Sequence, residues 1–419
     1  MQISLRSPAA KIASLLAALL LATAYVALCG RQFLASYYSE KPDLAHLERA
    51  VRLEPANAEY RFRLGRYLAL TQSQPEPVAS AYRAAVYLNP HRARYWFELA
   101  SAYQLLGDTN AQADALEKAT LADPKTPDVA WQAANFYLVQ GETEKALKEF
   151  RTVLENDPPL SIAALQLVWR MTPDIDTILR EVIPPEPEAY YALLDALLVR
   201  KETGATEKAW SQLVQLHKPI EARRVFEYMR FLVAQHEVDQ ARLVWQQAGV
   251  LSGLSAYQPS RENLVVNGDF SLPVLNGGFD WIYYRTPDVS LALDPTQAHT
   301  GHRSLSITFN TRPIDDAGIR QLIPVQPGAT YDFSANFKAE DLEGAGGPRF
   351  LIQDVYNETI YLATEDMGNA DFWKPIGGTF TVGPDTRLVV LRIQRDPPGN
   401  VIKGRLWIDG VRLEERRPS

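Results

Sequence analysis

Cysteine is almost absent from this chain. Its one copy, Cys29, excludes a disulfide within the chain and any zinc site built on cysteines. An oxidising compartment stays open, because a large domain needs no covalent staples. Positive charge is not in excess either. The formal net charge is −7, which leaves no electrostatic reason to expect nucleic acid as a partner. The signatures of common catalytic sites are missing too: no G-x-S-x-G elbow, phosphate-cradling Walker loop, dinucleotide fingerprint or H-E-x-x-H occurs. The glycine run Gly344–Gly347 lies between strand-like segments and opens no helix, so it makes no phosphate cradle. His299-Thr-Gly-His302 reads as a plain turn, with no acidic or histidine partner nearby in sequence. No local pair of carboxylates marks an acid/base couple of the glycosidase kind, which would need two carboxyls roughly 5–9.5 Å apart. The chain reads as non-catalytic.

What is present begins with an apolar leader. Ile12 to Gly30 reads IASLLAALLLATAYVALCG and carries no charge over 19 residues. That is just long enough to cross a bilayer as a helix. Arg6 and Lys11 precede it, while Glu40 and Lys41 roughly cancel beyond Arg31. The short basic tail is therefore expected to stay cytoplasmic and send the rest across. Three readings fit residues 1–31: an uncleaved signal-anchor, a signal peptide cleaved near Ala22-Thr-Ala24, or a lipoprotein acylated on Cys29. In the last, Leu28 stands where a small residue is wanted. All three place residues 32–419 outside the cytoplasm, and the first makes a single-pass protein of a bacterial inner membrane facing the periplasm.

At 419 residues the chain holds two or three domains. Four X-Pro pairs recur: Glu54-Pro55, Asn89-Pro90, Asp123-Pro124 and Asp157-Pro158, spaced 35, 34 and 34 residues apart. A residue before proline avoids the α region, so each pair ends one helix before the next starts. Between them the pattern is helical. In YWFELASAYQLLGD (95–108), Trp96, Leu99, Ala100 and Tyr103 form one apolar stripe and Gly107 stops it. A second helix follows with Ala113, Leu116 and Ala119. The next period repeats the plan through Ala130, Ala133, Ala134, Tyr137 and Gly141, then Ala146, Phe150 and Val153. A fixed period in this range marks stacked supersecondary units.

These positions resemble the tetratricopeptide repeat family. Trp96, Leu99, Tyr103, Gly107, Leu116, Ala119 and Pro124 carry the match in one repeat, and Tyr137, Gly141, Ala146, Phe150 and Pro158 in the next. The repeat near 59–92 departs, with Pro75 and Pro77 in the turn where glycine is expected. Beyond Pro158 the period decays around Pro173, Pro184, Pro185 and Pro187, and a last pair, near 219–248, is repeat-like around Ala241 and Trp245. The helical domain is expected over 32–250. The resemblance implies a groove that binds a protein or peptide, with Tyr95, Tyr103, Trp131 and Tyr137 as candidates to line it. The competing reading makes the same aromatics core.

Near residue 250 the texture changes. Residues 251–262 are rich in Gly, Ser and Pro and read as a linker. Period-2 alternation follows, as in Ser304–Phe309, Tyr331–Phe337 and Arg387–Ile393, with turn signals at Asn276-Gly-Gly, Pro327-Gly and Pro397-Pro-Gly. About ten short strands predict an antiparallel sandwich over 263–415, leaving 416–419 as a tail. The fold class is thus a membrane helix, an α-helical repeat domain and an antiparallel β-sandwich.

The stretch NLVVNGDFS (263–271) reads as an opening strand. With HTGHRSLSI (299–307), VQPGATYDFSANFKA (325–339) and RLWIDGVRLEE (405–415), in that order, it is similar to the jelly-roll carbohydrate-binding modules and galactose-binding-like domains. In those the opening and closing strands lie near each other. Sugar binding needs exposed aromatic faces beside hydrogen-bonding amides or carboxylates. The candidates are Trp281, Tyr283, Tyr284, Gln353, Tyr356, Asn357 and Tyr361. Against them, the resemblance puts Trp281, Trp373 and Trp407 at interior positions, while one of the neighbours Tyr283 and Tyr284 should face outward. The family also implies a structural calcium, for which Asp269 and Asp409 match the acidic positions; the alternative is turn-forming aspartates.

Together these readings point to a non-catalytic scaffold, with a protein partner on the repeats and glycan on the sandwich, in polysaccharide assembly or export. The alternatives are a pure protein-interaction module and a glycan-processing enzyme.

Overall fold

A computed structural model describes residues 8–71 and 74–416. Arg6 and the tail beyond Arg416 lie outside the described residues. The chain divides into two compact units, residues 1–196 and 197–419.

The first unit is helical. Its first helix, α1 (Pro8–Ser39), is 32 residues long, about 48 Å of helix. It is long and apolar enough to cross a membrane, and Leu15, Leu19, Leu20, Leu21 and Val26 are all exposed along it. The same helix then continues into the repeats: Ala35 is fully buried in a cluster with Ala50, Val51 and Tyr60, and Arg63 Nη1 donates to the Ser39 hydroxyl at 3.1 Å.

Helices follow at α2 (Leu44–Leu53), α3 (Ala58–Thr71), α4 (Pro75–Leu88), α5 (Ala93–Leu106), α6 (Thr109–Ala122), α7 (Pro127–Gln140), α8 (Thr143–Asn156), α9 (Pro158–Met171), α10 (Ile175–Glu181) and α11 (Pro187–Arg200), the last crossing the division. The X-Pro pairs act as anticipated. Glu54, Asn89, Asp123 and Asp157 each cap a helix C-terminus with a backbone outside the α region. Asp157 also opens the next helix, its carboxylate accepting from Leu160 N–H, with Pro158 in the first turn where no N–H is missed. Gly107 and Gly141 close α5 and α7 in the left-handed region, φ 73° and 76°, where side chains are disfavoured. Where the repeat departs from pattern, Pro75 simply starts α4.

The second unit opens with α12 (Thr203–Gln215), α13 (Ala222–Ala234) and α14 (Val238–Leu251), then turns to strands. These are β1 (Ile282–Tyr283), β2 (Val289–Asp294), β3 (Ser304–Pro313), β4 (Asp316–Pro324), β5 (Thr330–Gly344), β6 (Pro348–Asp354), β7 (Ile360–Ala363), β8 (Ala370–Thr381), β9 (Leu388–Arg395) and β10 (Val401–Glu415). They form two antiparallel five-stranded sheets, ordered β1-β4-β9-β6-β7 and β2-β3-β10-β5-β8. The inward residues of both sheets, among them Ile307, Ile319, Phe333, Phe350, Leu391 and Leu406, make one buried core.

Two segments differ from the sequence expectation. NLVVNGDFS is not a strand. Asn267 and Phe270 turn into the left-handed region (φ 51° and 50°), which breaks extended pairing. It still runs beside the closing strand: Leu264 N–H donates to Leu413 C=O at 2.9 Å, Val411 N–H donates to Gly268 C=O at 2.9 Å, and Asn263 Oδ1 accepts from Leu413 N–H. Segment 251–262, read as a linker, is docked. Trp245 Nε1 donates to Tyr257 C=O at 3.1 Å, Gln258 Nε2 to Trp245 C=O at 3.0 Å, and the Tyr257 hydroxyl to Pro273 C=O at 2.8 Å. Trp245 then meets Phe279 edge-on at 6.1 Å, and Gly278 packs so closely on its ring that a Cβ would lie 2.0 Å from it.

Candidate functional site

Strand alternation sorts the aromatic candidates of the sandwich. Trp281 is buried in the core, stacked on Phe270 at 5.2 Å, with Nε1 donating to Asn267 C=O at 3.1 Å, so it presents no face to a ligand. Tyr283 points inward against the same core, its hydroxyl buried without a partner and its phenol held above the ordinary value by burial. Tyr284, one residue on, points outward and is 36% exposed. The guanidinium of Arg320 sits 5.6 Å from its ring centre.

The other candidates scatter. Tyr356 stacks on His236 of α13–α14 at 3.9 Å and donates its hydroxyl to Val233 C=O at 2.9 Å; burial pushes its phenol to about 12. It is a helix-docking residue. Tyr361 is half-buried, stacked on Phe380 and bonded to the Thr386 hydroxyl. Asn357 sits exposed on a turn where its own Oδ1 accepts from Thr359 N–H. Of the interior tryptophans, Trp407 is buried with Nε1 on Asp294 at 2.9 Å, while Trp373 is half-buried against His299.

Gln353 does join a group with Tyr284. It lies on the outer face of the β1-β4-β9-β6 sheet, where its Oε1 accepts from Arg392 Nη2 at 2.8 Å. Gln394, turned so that its carbonyl meets donors, accepts from the same guanidinium at 3.0 and 3.2 Å. Arg392 on β9 pairs in register with Arg320 on β4, and Gln394 with Asp316. Burial raises the Asp316 carboxyl, opposed by the Tyr284 phenol, the Gly318 N–H and the Arg392 and Arg320 charges. Beside this group lies a shallow cavity of about 220 Å³, lined by Tyr283, Tyr284, Arg285, Thr286 and Leu291 among others. The sequence reading missed Arg320, Arg392, Gln394 and Asp316. Their signal was available: each is a polar residue at an outward place in an otherwise apolar strand.

The two aspartates matched to a calcium site each accept hydrogen bonds from a neighbouring turn. Asp409 is fully buried, and its oxygens accept from His299 N–H, Thr300 N–H, the Thr300 hydroxyl and Gly410 N–H at 2.6–2.9 Å. Asp269 accepts from Ser271 N–H and hydroxyl. Among the described residues no group of three or more metal-ligating side chains is gathered.

In the helical unit, Tyr95 and Tyr137 are buried. Tyr95 packs on Phe62 at 4.6 Å and donates its hydroxyl to Glu59 at 2.8 Å. They serve the helix interfaces and present no open face. Trp131 is half-buried, edge-on to Phe150 at 5.9 Å. Tyr103 keeps an open side. With Trp96, Tyr87, Arg83, Asp114 and Lys118 it lines a concavity of about 430 Å³ between α4, α5 and α6, in which Tyr87 is 87% exposed.

Comparison with known proteins agrees with both halves. Residues 262–399 match the model of a carbohydrate binding domain family, and residues 93–126 match a tetratricopeptide repeat. No curated protein matches the chain. Among solved structures, one described as "CBM4 structure and function" is 18% identical, with 36% of this chain and 99% of that one covered, at a TM-score of 0.29. The CBM22-1 xylan-binding domain of Paenibacillus barcinonensis Xyn10C is 15% identical over 36% and 94%, at 0.26. A MamA structure is 18% identical over 41% and 84%, at 0.23. The chain therefore joins tetratricopeptide repeats to a C-terminal domain of the carbohydrate-binding family, two kinds that bind and do not catalyse.

Proposed function

We propose that this protein is a non-catalytic scaffold held at a membrane by α1, on the extracytoplasmic side. The repeats take a protein partner and the outer face of the β1-β4-β9-β6 sheet takes glycan, in the assembly or export of a polysaccharide. One observation carries the glycan half: Tyr284 stands outward beside Arg320 and the Arg392–Gln394 pair on one face of the sheet. An aromatic face with planar polar groups around it is what a pyranose needs. For the repeats, the support is the aromatic and charged concavity around Tyr87, Trp96 and Tyr103. The length of α1 supports the anchor reading, because one helix runs unbroken from the apolar stretch to Ala35, which is buried against α2 and α3.

The test is affinity electrophoresis of the full chain through gels that contain a series of polysaccharides. Retention by one polymer, lost in Tyr284→Ala with no change in thermal unfolding, is the expected result. Migration unaffected by every polymer would instead favour the second reading, a module for protein contacts only. That reading has its own support: Trp281 and Tyr356, two of the aromatic candidates, are consumed by packing.

A further inference from the structure

Two arginines stand opposite one another on neighbouring strands without a counter-ion of their own. Arg320 and Arg392 are register partners across β4 and β9. Their chain neighbours Ile319, Leu391 and Ile393 point into the core, so both guanidiniums lie on the outer face. Like charges directly opposite on a sheet repel and destabilise it. Nearby arginines are neutralised: Arg349 pairs with Asp366 at 2.7 Å and Asp396 at 3.0 Å, and Arg387 with Asp239 at 2.9 Å. Among the described residues no ion pair involves Arg320 or Arg392. Asp316 is the carboxylate within electrostatic reach of both, and it already accepts from Gly318 N–H at 2.8 Å and meets the Tyr284 phenol. One engaged carboxylate against two guanidiniums leaves the face positive, in a chain whose net charge is −7.

These guanidiniums are also held in place. Arg392 is gripped by the Gln353 and Gln394 carbonyls, and Arg320 lies over the Tyr284 ring. The two glutamines take the Nε and Nη2 hydrogens of Arg392 and leave Nη1 to meet a carboxylate oxygen, and fixing the group in advance lowers the entropy lost on binding. The positive spot lies next to the one outward aromatic ring of the candidate set on this face.

Resting on the glycan reading above, we infer that the ligand is an acidic polysaccharide: the carboxylate of a uronate unit bridges Arg320 and Arg392 while a sugar ring covers Tyr284. The electrostatic cost of the arginine pair is then relieved on binding. The other half of the sheet is not available to a chain of sugars, since Leu388 and Val390 are buried there outside the inter-sheet core and Tyr356 and Arg387 dock on α13–α14.

The experiment compares the full chain in detergent on gels containing polygalacturonate, the same polymer with its carboxyls reduced to alcohols, and dextran sulfate. Retention by polygalacturonate at least tenfold stronger than by the reduced polymer is expected. Arg320→Gln and Arg392→Gln should each weaken it about tenfold without lowering the unfolding temperature. Arg392→Lys should not restore it, because an ammonium lacks the planar set of donors that meets Gln353, Gln394 and a carboxylate at once. Equal retention by the reduced polymer, untouched by the arginine changes, would overturn the acidic-ligand inference and leave the glycan reading standing. Dextran sulfate bound as tightly, with the same dependence on both arginines, would reduce the face to unselective anion binding. Failure of every polymer, neutral ones included, would remove the glycan reading itself.

Discussion

Asp280→Asn should stabilise the second unit at neutral pH and not in acid. Asp280 is fully buried; one oxygen accepts from Leu275 N–H at 2.7 Å, and the other has no partner. Burial is the largest influence, and it raises the carboxyl from 3.8 to about 6 against the hydrogen bonds of Leu275, Trp281 and Asn267. The folded state thus holds this proton more tightly than the unfolded chain does. The stability that goes with it is complete below about 3.8, fades as pH rises through about 6, and is gone above it. The gap corresponds to about 3 kcal/mol of penalty on the ionised form at pH 7. Asparagine cannot ionise and keeps the acceptor for Leu275, but its amide N–H groups need partners in place of the orphaned oxygen, which costs about 1–2 kcal/mol. A net gain of about 1–2 kcal/mol at pH 7 is expected, with none or a small loss at pH 4. The assay is denaturant unfolding of the full chain in detergent between pH 4 and 8, followed by tryptophan emission. A stability difference that does not vary with pH, or a loss at pH 7, would show that Asp280 is not a neutral buried carboxyl at low pH and a strained anion above it.

Four further outcomes follow from packing, hydrogen bonding and the cation reading. Gly278→Ala sets a Cβ 2.0 Å from the Trp245 ring at a residue with φ 63° and should cost about 2–4 kcal/mol, read as a lowered denaturation midpoint. Asp409→Ala takes the buried acceptor from four donors and should cost about 3–5 kcal/mol, with Asp409→Asn intermediate in the same measurement. Addition of calcium and chelation by EDTA test the cation reading of Asp269 and Asp409: a melting temperature raised by the first and lowered by the second would support it, and one that neither moves would count against it. Ala35→Leu, at a fully buried place between α1 and α2, should destabilise the first unit by about 1–3 kcal/mol, seen as earlier loss of helical circular dichroism.

Much of the architecture lay open in the residues themselves, because its causes are local. A residue before proline is disfavoured in the α region, so Asn89, Asp123 and Asp157 marked helix ends correctly. Gly107 and Gly141 are the kind of residue that takes a left-handed cap at least steric cost. Period-2 alternation placed β3, β5 and β9, and it required one of Tyr283 and Tyr284 to face out. What depends on partners far along the chain was not legible. Trp281 stays open in the sequence between a sugar-stacking face and an interior place, and it lies in the core because the fold of 263–271 supplies Phe270 and the Asn267 carbonyl to receive it. That segment failed as a strand because Asn263 side-chain bonds and left-handed turns replaced ladder pairing. Residues 251–262 looked like a linker by composition, yet Trp245 and Tyr257 pin them. Arg320 and Arg392 lie 72 positions apart in the chain and became neighbours only when the β4–β9 register was set. Helix ends, caps and strand faces follow from residues within a turn or two of each other; the pairing of strands and the burial of one ring over another follow from contacts that chain closure has to bring together, and a single sequence does not display those.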